Sequence, residues 1–195
     1  VVVGLDEDDE TKEQAMTSVK EFPGARASVN PRQKSVGALF NKLFSESSGD
    51  WFVPFPDDYV MSAVDWGARV REAVKMMPCE LGVAYLADRL YPGFSTFPVV
   101  SRRTIELNGF FMPDFFPFLF GDTWWNEVGN LCGVKQPIDA HVLLNAAHGN
   151  EHNLRDMALW ARLFESTRAL RVETAIKIVE EIYRDYGAES SWLVS

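Results

Sequence analysis

Short apolar runs alternate with longer amphipathic patterns along this chain, and that alternation is what most restricts its fold. Residues 1–5, 25–29, 51–55, 83–86, 97–100 and 137–144 are brief stretches rich in apolar side chains, which predicts strands. Between them lie helical patterns. Residues 11–21 read as a helix. After Ser35, the side chains of Val36, Leu39, Phe40, Leu43 and Phe44 fall at i, i+3, i+4, i+7 and i+8, the spacing of one helix face, and Ser47-Ser48-Gly49 ends the pattern. Further helices are expected over 62–77, stopped by Pro78, over 104–108, closed by Gly109, and over 122–131, with Gly133 as C-terminal cap. Residues 154–186, with Leu159, Leu163, Leu170, Ile176, Val179 and Ile182, read as one long helical segment. Strands alternating with helices predict an α/β fold around a mixed, mainly parallel sheet.

A chain of 195 residues that is 47% hydrophobic can bury one substantial core and reads as a single domain over 1–195. Its formal net charge of -9 argues against a general nucleic-acid surface, which needs a basic field. Cys79 and Cys132 are too few and too far apart for a disulfide framework, and neither has zinc-spaced neighbours. No apolar run is long enough for a membrane span, and no signal peptide is visible, so a cytoplasmic or other soluble reducing compartment is expected. The chain opens on a strand-like run without an initiator Met, as a processed product, an excised domain or a trimmed chain would. Oligomeric state is not legible.

The run Asp50-Trp51-Phe52-Val53-Pro54-Phe55-Pro56-Asp57-Asp58-Tyr59 is apolar until it stops at two adjacent carboxylates. Ligands of open α/β sheets bind just beyond the carboxyl ends of strands. Two acids at such an edge repel unless something positive sits there. A hard divalent cation carrying a phosphate meets that need. A solvated acidic turn is the plainer alternative.

The order of these segments resembles nucleotide-sugar glycosyltransferases of the A-type fold, family 2-like. Residues 1–9 (Val-Val-Val-Gly-Leu-Asp-Glu-Asp-Asp) look like their second strand, which implies that the first strand and helix of the family are missing here. Asn30-Pro31-Arg32, Asn41-Lys42-Leu43-Phe44 and Gly49-Asp50-Trp51 continue the pattern. Phe55-Pro56-Asp57-Asp58-Tyr59-Val60-Met61 is similar to the metal-binding acidic motif, with Trp66 following. Pro98-Val99-Val100-Ser101-Arg102 and Gly121-Asp122-Thr123-Trp124-Trp125 resemble the acceptor half. The resemblance covers residues 1–160. It implies a Rossmann-like three-layer fold of the nucleotide-diphospho-sugar transferases. Residues 1–100 would bind the donor, 101–150 would form the acceptor half, and 151–195 would be a C-terminal helical segment.

The resemblance also implies roles. Asp6, Arg32 and Asp57 would bind the nucleotide sugar, and Asp57, Asp58 and His141 would hold Mn²⁺ or Mg²⁺. Asp122 would be the catalytic base for an acceptor hydroxyl, giving transfer with inversion, and Trp124 and Trp125 would bind the acceptor. Each has a plainer reading. Acids over 6–10 also suit the start of a helix. Arg32 and Lys34 also suit an exposed helix start. Asp122 also suits an N-cap, and a lone His is commonly structural. Trp124 and Trp125, being adjacent, are read as unable both to face inward on a helix, so one is expected at a surface or pocket. His148 and His152 are spaced i, i+4, but Gly149 and Asn150 between them favour a loop over a helical metal pair. The aromatic density of 110–125 suggests a loop-rich wall for stacking sugars, or a core. A non-catalytic nucleotide-sugar or protein-binding relative and a nucleotidyltransferase are the alternative functions. The second would need a Gly-rich phosphate loop that the sequence does not display.

Overall fold

The computed structural model describes residues 1–56, 59–88, 91–117, 119–144 and 156–187. The chain forms two compact units, one of Val1–Gly49 with Phe110–Gly121 and the other of Asp50–Gly109 with Asp122–Ser195. The borders of these units fall after Gly49, Gly109 and Gly121.

In the first unit, β1 (Val2–Asp6) and β2 (Arg26–Asn30) pair in parallel, from Val2 opposite Arg26 to Asp6 opposite Asn30. A parallel pair needs a crossover, and α1 (Lys12–Lys20) supplies it. The next helix, α2 (Val36–Ser45), starts at Ser35. The Ser35 hydroxyl accepts from the Ala38 N–H at 3.1 Å and donates to the Asp114 carbonyl at 3.0 Å. Asn41 holds the same returning segment. Its amide donates to the Met112 carbonyl at 2.8 Å, and its Oδ1 accepts from the N–H groups of Phe111 and Met112 at 2.9 and 2.8 Å. Phe111 and Phe116 are buried, and Phe111 meets Phe40 edge-on at 6.2 Å between ring centres. These two aromatic residues therefore fill an interior rather than a sugar-stacking wall. Close approach depends on Gly37, where an added Cβ would lie 2.5 Å from the Pro113 carbonyl oxygen.

The second unit holds a five-stranded sheet in the order β3-β6-β5-β7-β4, from β3 (Trp51–Phe52), β4 (Tyr59–Met61), β5 (Val83–Asp88), β6 (Phe97–Ser101) and β7 (Lys135–Leu144). It corrects the expectation of a mainly parallel sheet. Only β5 and β7 pair in parallel; β3–β6, β5–β6 and β4–β7 are antiparallel. Connection length explains the difference: the short link from β5 to β6 closes a hairpin, whereas the route from β5 to β7 carries helices. Val83, Leu86, Val99, Val100, Ile138 and Val142 from the three central strands are buried. They are flanked by α3 (Trp66–Lys75), α4 (Arg102–Asn108) and α5 (Gly121–Cys132). The Ser101 hydroxyl caps α4 by accepting from the Thr104 N–H at 3.2 Å, and Gly109 ends the helix at φ 90°.

Three local expectations also change. The strand expected over 51–55 pairs only at Trp51 and Phe52, because Pro54 and Pro56 have no N–H to give a ladder. Tyr59–Met61 forms a strand where the sequence pattern assigned no element, since three residues carry too little period to register. The expected long C-terminal helix is two, α6 (Met157–Ser166) and α7 (Arg168–Tyr186); residues 154 and 155 lie outside the described residues. The break is at Thr167. Its hydroxyl bonds to the carbonyls of Leu163 at 3.0 Å and Phe164 at 2.9 Å, satisfying the end of α6.

Gly37→Ala forces a Cβ against backbone and should cost about 1–3 kcal/mol of stability. An unchanged midpoint in urea denaturation would show that α2 does not rest on Pro113 as closely as described.

Candidate functional site

Asp6 ends β1, and Arg32 lies two residues beyond β2, whose last residue Asn30 sits opposite Asp6. The parallel register thus brings two of the three nucleotide-binding candidates, Asp6 and Arg32, together. The Arg32 Nε lies 3.2 Å from Asp8 and 3.7 Å from Asp6. Its hydrogen bond to Asp8, then the charges of Asp8 and Asp6, hold the guanidinium above its ordinary pKa. The acidic run also divides its labour. Asp9 accepts from the Thr11 N–H and hydroxyl, each at 2.8 Å, and those bonds lower its pKa. Asp9 is therefore the acid that organises the entry to α1, which leaves Asp6 and Asp8 facing Arg32.

Asp122 occupies the first turn of α5, which starts one residue earlier at Gly121. Its Oδ1 accepts from the Thr123 N–H at 2.6 Å and the Thr123 hydroxyl at 3.2 Å. Burial raises the carboxyl pKa, and the bonds from Thr123 oppose that rise. An acid placed this way holds a proton more readily than a solvated one, a property a general base can use. The two free thiols are not comparable nucleophiles: burial pushes Cys79 and Cys132 up to about 11.

Trp124 and Trp125 overturn an expectation. Both are 0% exposed, so neither stands at a surface where an acceptor could stack. Successive helical residues are about 100° apart, and a buried stripe that wide takes both. On α5 that stripe consists of Trp124, Trp125, Val128, Gly129 and Cys132. Trp124 also finds a partner, as its indole N–H donates to Asn108 Oδ1 at 3.1 Å.

His141 lies on β7 just past a bulge, where Leu86 of β5 pairs with Ile138 and Ala87 pairs with His141. Its carbonyl accepts from the Ser62 N–H at 2.9 Å and the Ser62 hydroxyl at 2.8 Å. Its Nδ1 is buried and has no hydrogen-bond partner among the described residues. The neighbouring Asp139 is engaged instead with Arg69, at 3.0 Å. Asp57, Asp58, His148 and His152 lie outside the described residues. Among the described residues no group of three or more His, Cys, Asp or Glu side chains is gathered for a metal.

The chain also buries a cation that had not been singled out. Arg171 on α7 is 0% exposed, bonded through Nε to Glu127 of α5 at 2.9 Å and through Nη1 to the Thr167 hydroxyl at 3.1 Å. Its guanidinium lies 3.6 Å from the Phe164 ring centre and 5.1 Å from that of Trp124. The signal was present: Arg171 shares the stripe of Ala175, Ile178 and Ile182 at i, i+4, i+7 and i+11, a charge where an apolar side chain belongs.

The sequence matches no family model, and no curated protein matches it either.

A carboxyl raised in the folded state binds a proton there that the unfolded chain has released, so its contribution to stability falls as pH rises above the ordinary Asp range. Asp122→Asn removes that dependence. Melting temperatures followed against pH should show the variant at least as stable as the parent at neutral pH, with the advantage gone in acid. A variant less stable at neutral pH would make Asp122 a helix-stabilising acid instead.

Proposed function

We propose that this chain is a metal-dependent glycosyltransferase that moves a sugar from a nucleotide-diphosphate donor to an acceptor hydroxyl, with inversion, on a Rossmann-like three-layer fold. The order of the sequence motifs suggests the class. The observation that carries the reading is Asp122, a carboxyl whose pKa is raised by burial in the first turn of α5. In this reading the acceptor oxygen forms a bond to the anomeric carbon while the bond to the diphosphate breaks. The leaving oxygen keeps that bonding pair, and Asp122 takes the acceptor's proton. Such a base contributes about 10²–10⁴-fold to the rate.

The donor's charge needs partners as well. Asp6 and Arg32 are brought together by the β1–β2 register and would contact the nucleoside, with Arg32 exchanging a carboxylate partner for the ligand. Asp57, Asp58 and His141 would hold Mn²⁺ or Mg²⁺, which when bound neutralises charge on the departing diphosphate. His141 fits that assignment through its buried Nδ1, which lacks a partner among the described residues. A mixed set of carboxylate and imidazole donors suits manganese and magnesium less uniformly than carboxylates alone, but it is compatible with manganese.

A non-catalytic nucleotide-sugar or protein-binding module is the second reading. It is favoured by the burial of Trp124 and Trp125, which removes the expected acceptor platform.

Release of nucleoside diphosphate from UDP- and GDP-sugars with Mn²⁺ tests the choice. The parent chain should turn over at least one donor, and Asp122→Asn should bind it equally well while losing at least about 100-fold in rate. Full activity in that variant would reduce Asp122 to a structural acid. Binding without turnover in the parent would select the module.

A further inference from the structure

We propose that Arg171 is a positioning residue for Asp122, gripping α5 from α7 so that the carboxyl keeps its place at the head of the helix. The inference rests on the reading of Asp122 as the base. Arg171 holds α5 at two points, the Trp124 ring at 5.1 Å and the Glu127 carboxylate at 2.9 Å. A second grip lies one turn further along α7. The Thr174 hydroxyl donates to Asn108 Oδ1 at 2.9 Å, and the same oxygen accepts from the Trp124 indole at 3.1 Å. Trp124 is two residues from Asp122, so a rotation or slide of α5 that moves one moves the other. The anchorage of Asp122 is local: its carboxylate accepts from the N–H and hydroxyl of the adjacent Thr123.

Stability alone does not account for a cation at this position. An apolar side chain would complete the stripe of Ala175, Ile178 and Ile182, and apolar replacements of buried ion pairs are often neutral or stabilising. Arg171 is instead fully buried with its Nη2 lacking a partner among the described residues. What a guanidinium offers in exchange is direction. Its fork and flat face fix Glu127, Thr167, Phe164 and Trp124 at once, which neither Lys nor Leu can do.

The test uses the full chain with two substitutions, Arg171→Lys and the milder Thr174→Val. Asp122 is followed by carboxyl ¹³C NMR against pH, and donor turnover is measured in parallel. In both variants the Asp122 titration should fall toward the ordinary carboxylate range as the side chain reaches water. The rate at saturating donor should drop at least tenfold, with KM for the donor within twofold. A lower melting temperature with the Asp122 titration unmoved in both variants would overturn the proposal and leave Arg171 a stabilising residue only. If the parent turns over no donor, the transferase reading fails, while the titration alone still decides whether Arg171 positions Asp122.

Discussion

A parallel pair of strands cannot be closed by a turn, and in the second unit that constraint governs what the central strands can carry. β5 and β7 run side by side in parallel, β5 buried from Val83 to Leu86 and β7 on the face of Ile138, Ala140 and Val142. The chain between them has to travel out and back, and it does so through β6, α4 and α5. Asp122 at the head of α5 is therefore a product of the crossover. His141 depends on the same pairing. The register slips after Leu86, where Ile138 is followed by a bulge, and the slip brings His141 rather than Asp139 opposite Ala87. The slip spans two residues, so the alternation of faces survives it, and Ile138, Ala140 and Val142 stay on the buried face.

Several polar groups buried beside this crossover are linked by side chains acting in relay. Asn108, the last residue of α4, accepts from both Trp124 of α5 and Thr174 of α7, tying three helices through one amide oxygen. Glu127 faces two cations, Arg168 at 3.1 Å and the buried Arg171 at 2.9 Å. Burial lowers the pKa of Arg171, and Glu127 opposes that effect. An arginine remains charged in a protein, so the ion pair is permanent and its geometry cannot relax by proton loss. Such a pair adds less net stability than its distance suggests, yet it restricts how α5 and α7 can meet. The first unit uses a neutral version of the same device, with Asn41 closing three hydrogen bonds on the backbone of Phe111 and Met112.

The helices and strands were largely legible because they rest on local signals. The amphipathic spacing from Val36 to Phe44 marks α2, and Ser35 caps it as its chemistry dictates. Gly109 and Gly133 close α4 and α5 at positive φ. What local signals could not give was pairing direction. Strand–helix alternation implied parallel neighbours, but β6 follows β5 after a short link and turns back on it. Pattern also failed where a side chain competes with the backbone, as at Thr167, or where proline removes a donor, as at Pro54 and Pro56. Among the site residues, the approach of Arg32 to Asp6 follows from strand register, and the burial of both tryptophans from the width of the α5 stripe. Neither property is local. Arg171 was legible in principle as a charge on an apolar stripe, but its partners on α5 could be known only once the helices were in place.

The central claim is that this chain binds a nucleoside diphosphate through a divalent cation. Calorimetric titration with UDP and GDP, with and without Mn²⁺, addresses it directly, with Asp58→Ala as the control. The account predicts binding of at least one nucleotide that requires the metal and disappears in the Asp58 variant. A folded chain that binds neither nucleotide, or binds one equally well without metal, would contradict it.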